Sequence, residues 1–285
     1  MMSLTDCNEM TSSSPAIALR ALSFEYTAGK KALENISLTV QKGEQVALLG
    51  QNGSGKTTLV KQLNGLLRPT TGQVEILGTP ATQKTVAQLS HMVALQFQNP
   101  DNQICKSTVW EEVAFGGRNL HYSEEKVQAC TESALAMLNL HSQAHKNPYD
   151  LSFSERKRLS IASVLAMDTE ILILDEPTAG LDAGEQALLV AALKELSRKG
   201  KTTILISHDM DFVAENADRI IFLNAGEKQF DGTVQDFFYH HAASGKCGMA
   251  LPQVYAVSSH FALTLDTITP ECFIETFAQA QNRQK

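Results

Sequence analysis

The chain has 285 residues, 43% hydrophobic and 19% charged, so a sizeable core can be buried and wholesale disorder is excluded. Its 24 basic and 31 acidic residues leave a net charge of −7. That argues against nucleic acid as a main partner, because neutralising phosphates needs a basic surface.

At roughly 150 residues per domain the length corresponds to about 1.9 domains, which one large α/β domain with a small appendage satisfies. Residues 1–16 are polar and Ser/Thr-rich, and read as a loose tail. They carry acidic residues and no long apolar run, so they do not read as a secretory leader. No stretch approaches the ~18 apolar residues of a membrane span. The expected protein is therefore intracellular, either soluble or held at a membrane by a partner. The five cysteines are scattered and lack CxxC spacing, which points to reduced thiols rather than a disulfide framework or a zinc site.

From Ile17 the alternating runs IALRALSFEY and KALENISLTV predict two strands around a turn containing Gly29. QVALLG (45–50) is nearly all apolar, as a strand buried on both faces should be. KTTLVKQLNGLL (56–67) has helical spacing, and GQVEILG (72–78) reads as a strand. The stretch from about 97 to 167 is helix-rich, with apolar positions three and four apart in 126–140 and 156–167. Then come a buried strand (171–177), a helix (184–200), a strand (202–208) and a hairpin (219–232). Alternating strands and helices predict an α/β fold with a mainly parallel core sheet, interrupted by a helical subdomain. After about 236 the pattern weakens: 240–248 reads as a linker, followed by short helices at 251–263 and 271–281 within a small C-terminal extension.

Gly50-Gln51-Asn52-Gly53-Ser54-Gly55-Lys56-Thr57 matches GxxxxGK[ST], followed by Thr58. Its glycines let backbone N–H groups approach phosphates, and the helix beginning near Lys56 aims its positive end at the same place. Lys56 can neutralise β- and γ-phosphate oxygens, and Thr57 can ligate Mg²⁺. A second buried strand ends in Asp175 and Glu176. The first is placed to hold the Mg²⁺ shell, the second to polarise an attacking water. His208 follows a third apolar strand, at the sheet edge where ligands bind.

Taken in order, the P-loop, Gln98 in LQFQNP, LSFSE (151–155), ILILDEP (171–177), AGLD (179–182) and His208 closely resemble the ATPase subunits of ATP-binding cassette (ABC) transporters, over about 17–235. The resemblance implies the P-loop NTPase fold of that family, with an antiparallel β subdomain and an inserted helical subdomain. It implies ATP and Mg²⁺ as ligands, Tyr26 stacking on adenine, and Gln98 sensing Mg²⁺ and γ-phosphate. Glu176 is implied as general base, His208 as γ-phosphate contact and Asp182 as a residue communicating across a dimer. QFQNPDNQ (96–103) with TVWEEVAFG (108–116) resembles the energy-coupling-factor, or cobalt-type, subgroup. That implies a peripheral ATPase at the cytoplasmic face of the membrane. It would power uptake of a vitamin or metal ion with a transmembrane coupling protein and a substrate-binding membrane protein. A soluble regulatory cassette that binds ATP without energising transport is the competing class. A small-molecule kinase would share only the P-loop.

One departure stands out. Where the family usually has LSGGQ, this chain has Leu151-Ser152-Phe153-Ser154-Glu155. Ser152 with Glu155 also forms a capping box ahead of a helix. Phe153 and Ser154 add bulk, and Glu155 adds charge, where a phosphate should approach. At about 5 Å and an effective dielectric of about 20 the repulsion is of order 3 kcal/mol, less if Glu155 is turned into its own cap. The expected consequence is pairing with a second, different ATPase that carries a regular signature.

Overall fold

The first alternating run forms β1 (Ile17–Thr27), antiparallel to β2 (Lys30–Val40). The computed structural model describes residues 14–27, 29–241 and 248–283. Of the expected loose tail, residues 1–13 lie outside those described. Ala16 is already fully buried, and its carbonyl accepts the Leu77 N–H.

The wholly buried β3 (Gln45–Gly50) leads into α1 (Lys56–Leu63). This helix is shorter than its apolar spacing predicts. Gly65, at φ 78°, turns the chain out of the helix, its N–H bonding back to the Gln62 carbonyl. Next come β4 (Thr71–Ile76), β5 (Thr79–Pro80) and the one-turn α2 (Val86–Leu89), capped by Thr85. Strands β1, β2, β4 and β5 make one antiparallel sheet in the order β2-β1-β4-β5.

After β6 (Val93–Gln96), helices α3 (Val109–Asn119), α4 (Glu124–Met137) and α5 (Phe153–Leu165) follow. Neither β6 nor α3 is apparent from the periodicity. The strand has only four residues, and α3 contains two consecutive glycines. The core units β7 (Ile171–Asp175), α6 (Ala183–Arg198), β8 (Thr202–Ile206), α7 (Met210–Asn216) and β9 (Arg219–Asn224) come next. The edge strand β10 (Glu227–Thr233), the short α8 (Val234–Asp236), α9 (Gln253–His260) and α10 (Pro270–Arg283) complete the order. Most of the expected linker, 242–247, lies outside the described residues.

The core sheet runs β10-β9-β3-β8-β7-β6. Strands β9, β3, β8, β7 and β6 are parallel, and β10 is antiparallel to β9. Successive side chains of β7 go to opposite faces. Ile171 and Ile173 join the core shared with α1 and the antiparallel sheet, whereas Leu172 and Leu174 join the core under α3–α6. Each such fully buried aliphatic contributes about 1.5–3 kcal/mol relative to exposure. Because β3, β7 and β8 are neighbours and parallel, their C-terminal ends share one edge. That edge carries Gly50, Asp175 and the loop after Ile206.

Candidate active site

The turn from β3 to α1 is built for close approach. A Cβ on Gly50 would collide with the Leu223 carbonyl and the Ser54 hydroxyl. Gly55 is the N-cap of α1 with φ 105°, and it offers no side chain to occupy the helix's first N–H groups. Those groups lack intrahelical partners and are left for an anion. Lys56 folds back over its own loop, its Nζ donating to the carbonyls of Gly50 (2.6 Å) and Gln51 (3.0 Å). Burial pulls its pKa below the ordinary lysine value, against the opposing pull of Glu176 and Asp175. The Ser54 hydroxyl is buried without a partner among the described residues.

The loop opens on a cavity of about 380 Å³, lined by Asn52, Gly53, Ser54, Gly55, Lys56, Thr57 and Thr58. Tyr26, Gln98, Asp175, Glu176 and His208 line the same cavity. Gly50 and Gln51 instead border an adjoining depression of about 240 Å³, together with His208 and residues 248–250. The Tyr26 hydroxyl shares a 3.0 Å hydrogen bond with Thr58 Oγ1, and its ring meets Phe24 edge-on with centroids 4.9 Å apart. The tyrosine stays 55% exposed at the mouth.

Asp175 ends β7. Its N–H is accepted by Oε1 of the fully buried Gln96, at 3.2 Å. Glu176 follows at φ 49°, a left-handed conformation that costs a non-glycine residue about 1 kcal/mol or more. Its N–H bonds the Ile206 carbonyl at 2.8 Å, tying the β7 exit to β8. Burial raises the pKa of both carboxyls, partly offset at Asp175 by Lys157 and Lys56 and at Glu176 by the backbone and ring of His208.

Thr57, Asp175 and Gln98 bring hydroxyl, carboxylate and amide oxygens to one cavity, a donor set suited to a hard cation. Among the described residues no group of three or more His, Cys, Asp or Glu could hold a metal by itself. A cation here would need phosphate and water oxygens to complete its shell, the usual arrangement for Mg²⁺ in nucleotide sites.

Ser152, Phe153, Ser154, Glu155 and Asp182 do not line the cavity. Ser152 caps α5, and Glu155 closes the capping box, its Oε2 accepting the Ser152 N–H at 2.8 Å. That bond holds the Glu155 carboxyl below its ordinary pKa. The carboxylate is thus turned into the helix's own cap, which reduces the repulsion estimated from a free charge. Phe153 lies over Gly180, where a Cβ would be 2.6 Å from the ring. Asp182 caps α6 through Oδ1, 2.8 Å from the Glu185 N–H, in a second capping box.

Some residues at the site carry no pattern a sequence reading would use. Lys30, Lys31 and Ala32 line the cavity because β2 returns beside Tyr26. Lys157 is fully buried, with Nζ 2.7 Å from the Gln98 carbonyl and 3.4 Å from the Asp175 carbonyl. Burial pulls its pKa down to about 8. The available signal was the run Arg156-Lys157-Arg158 inside a helix that otherwise packs into the core.

A mainly parallel sheet whose edge joins a phosphate loop, a half-buried and a buried carboxylate and a histidine defines a P-loop nucleoside-triphosphate hydrolase. The family model for ABC transporters matches residues 33–179. A Pyrococcus furiosus protein named as an ABC transporter ATP-binding protein is 46% identical over 78% of this chain and 85% of its own length. The energy-coupling factor transporter ATP-binding protein EcfA2 of Methanospirillum hungatei is 43% identical over 79% of this chain, which spans only 57% of that relative. The solved structure of CbiO1 from Clostridium perfringens, described as part of the ABC transporter complex CbiONQ, superposes with TM-score 0.73. It is 31% identical, and the match covers 86% of this chain and 99% of that one. The chain belongs to the ABC transporter ATPase family.

Proposed function

We propose that this chain is the ATP-hydrolysing subunit of an energy-coupling-factor transporter and powers uptake of a vitamin or a metal ion such as cobalt. The observation that carries the ATPase half is the single cavity where the phosphate loop meets Asp175, Glu176, His208, Gln98 and Tyr26. The likeness to EcfA2 and to a component of CbiONQ supports the transporter half.

In this reading the adenine stacks on Tyr26, and the phosphates lie over the N-terminus of α1. Lys56 leaves the Gly50 and Gln51 carbonyls for the β- and γ-phosphates. Glu176 takes a proton from the attacking water as its oxygen bonds to the γ-phosphorus. The bond from that phosphorus to the bridging oxygen breaks, releasing ADP and phosphate. His208 contacts the γ-phosphate and steadies Glu176. Thr57, Asp175 and Gln98 would hold Mg²⁺, which when bound neutralises phosphate charge.

Phe153 and Glu155 occupy the usual place of a glycine and a glutamine, and the Glu155 carboxylate is committed to its own cap. We therefore assign the competent site to this chain's Lys56 and Glu176 together with the signature of a second, different ATPase. The pair would sit at the cytoplasmic face of a membrane, bound to a coupling protein and a substrate-binding membrane protein. Among the described residues no helix is long and apolar enough to cross a membrane, so attachment would run through those partners.

Gentle solubilisation and affinity capture of the tagged chain from its native cell tests the assembly. Recovery of a second ATPase with a regular signature and two polytopic membrane proteins is the expected result. Capture of this chain alone, from the soluble fraction, would overturn it in favour of a regulatory cassette.

A further inference from the structure

The loop 97–103 is fastened to α5 at three points. The Gln103 side chain accepts the Phe97 N–H at 3.0 Å and donates to the Ser160 carbonyl (2.8 Å) and the Ser163 hydroxyl (2.7 Å). Arg156 pairs with Asp101 at 2.9 Å. Lys157 donates to the Gln98 carbonyl at 2.7 Å. The loop and the helix that begins at the signature are therefore bonded into one body.

Lys157 differs from the other two fasteners. Its Nζ also reaches the Asp175 carbonyl at 3.4 Å, at the exit of β7 in the core sheet. It is fully buried, and a buried ammonium without hydrogen-bond acceptors is strongly disfavoured. Its two acceptors are the backbones of two residues whose side chains line the nucleotide cavity. Moving α5 relative to β7 must then stretch one of these bonds or carry Gln98 along.

We infer that Lys157 is a positioning residue that sets Gln98 against Asp175 and links displacement of the signature helix to the cation side of the nucleotide cavity. This rests on the ATP and Mg²⁺ reading of that cavity. Lys157 does not line the cavity and acts through Gln98 and Asp175. A shorter or apolar side chain cannot hydrogen-bond both carbonyls.

The test compares the full-length wild-type chain with Lys157→Met, which keeps length without a donor, and Lys157→Gln, which donates but is too short to bridge. Hydrogen exchange of 97–103 in the nucleotide-free protein should be at least about tenfold faster in Lys157→Met, and faster by less in Lys157→Gln. Exchange in β1 and β2 should be unchanged. ATP affinity in EDTA should stay within about twofold, while the gain in affinity on adding Mg²⁺ falls about tenfold or more. Wild-type loop exchange and Mg²⁺ response in either variant, folded by circular dichroism, would overturn the inference. So would loosening spread evenly over the whole chain. Failure of the wild-type chain to bind ATP would refute the nucleotide reading instead, and the loop exchange would still decide whether Lys157 is the link.

Discussion

Glu176 is hydrogen-bonded to the His208 backbone and lies beside its ring. The Glu176 Oε2 accepts the His208 backbone N–H at 3.2 Å, and Oε1 lies 3.6 Å from His208 Nε2. The carboxylate is thus held by the loop after β8 while its own backbone is held by β8 itself. This explains how a residue in a left-handed conformation keeps one orientation. Glu176→Gln preserves an oxygen to accept the His208 N–H but removes the base. Single-turnover hydrolysis should fall by about 10²–10⁴-fold, with ATP affinity retained. Normal turnover in this variant would refute the assignment of the base.

The same substitution should stabilise the nucleotide-free protein. Burial raises the folded-state pKa of Glu176, so the folded chain holds that proton more tightly than the unfolded chain does. Such a group favours folding at pH below its unfolded value, and that contribution is lost as pH rises through the folded value. At pH 7.5 an amide avoids burying a charge. A gain of about 1 kcal/mol, or about 2 °C in Tm, is expected, and it should shrink toward pH 4. Thermal melts at the two pH values check the sign. A variant that melts lower at pH 7.5 contradicts it.

Lys56 spends its donors on the Gly50 and Gln51 carbonyls. Lys56→Met leaves those carbonyls near water at little cost and deletes the charge meant for phosphate. A charge-assisted bond is worth about 1.5–3 kcal/mol, so ATP should bind about 10–150-fold more weakly. Titration with a fluorescent nucleotide measures this, and unchanged affinity would remove Lys56 from the site.

Tyr26 separates two contributions. Tyr26→Phe loses only the bond to Thr58 and should leave ATP affinity within about threefold. Tyr26→Ala loses the ring that would stack on the base and should weaken ATP by about 1–3 kcal/mol. Equal effects from both variants would show that the hydroxyl, not the ring face, is what matters.

The signature departure has its own test. Phe153→Gly with Ser154→Gly keeps the Ser152–Glu155 capping box and removes the ring lying over Gly180. Carried on a Glu176→Gln chain and mixed with the wild-type chain, the double substitution should speed ATP hydrolysis relative to the Glu176→Gln chain alone mixed the same way, because the repaired signature then serves the wild-type partner's nucleotide and its intact base. An unchanged rate would mean that Phe153 does not limit the site. Glu155→Ala should cost about 1 kcal/mol of stability through the cap, without changing the affinity of this chain's own cavity.

Much of this was legible in the residues. Gly50–Thr57 marks the phosphate loop because only that spacing of glycines, lysine and threonine between a strand and a helix serves the chemistry. Asp175 and His208 were legible because buried parallel strands read as apolar runs, and their C-terminal ends carry the ligand. The roles of Phe153 and Glu155 were not. Local sequence names a capping box, but it does not say whether the carboxylate is spent on it or where the ring lies. Lys157 was hidden because a cation within a helix reads as a solvated face until packing shows it buried. By itself the sequence determined the order of the strands and helices that carry the site, though not β6 or α3, and the chemistry at their ends, since both follow from local periodicity and residue type. Tertiary structure alone decided which backbone carbonyls receive Lys157 and Lys56, and that Glu176 is gripped by His208, because those contacts join residues 18 to 59 apart or depend on how one loop folds over itself.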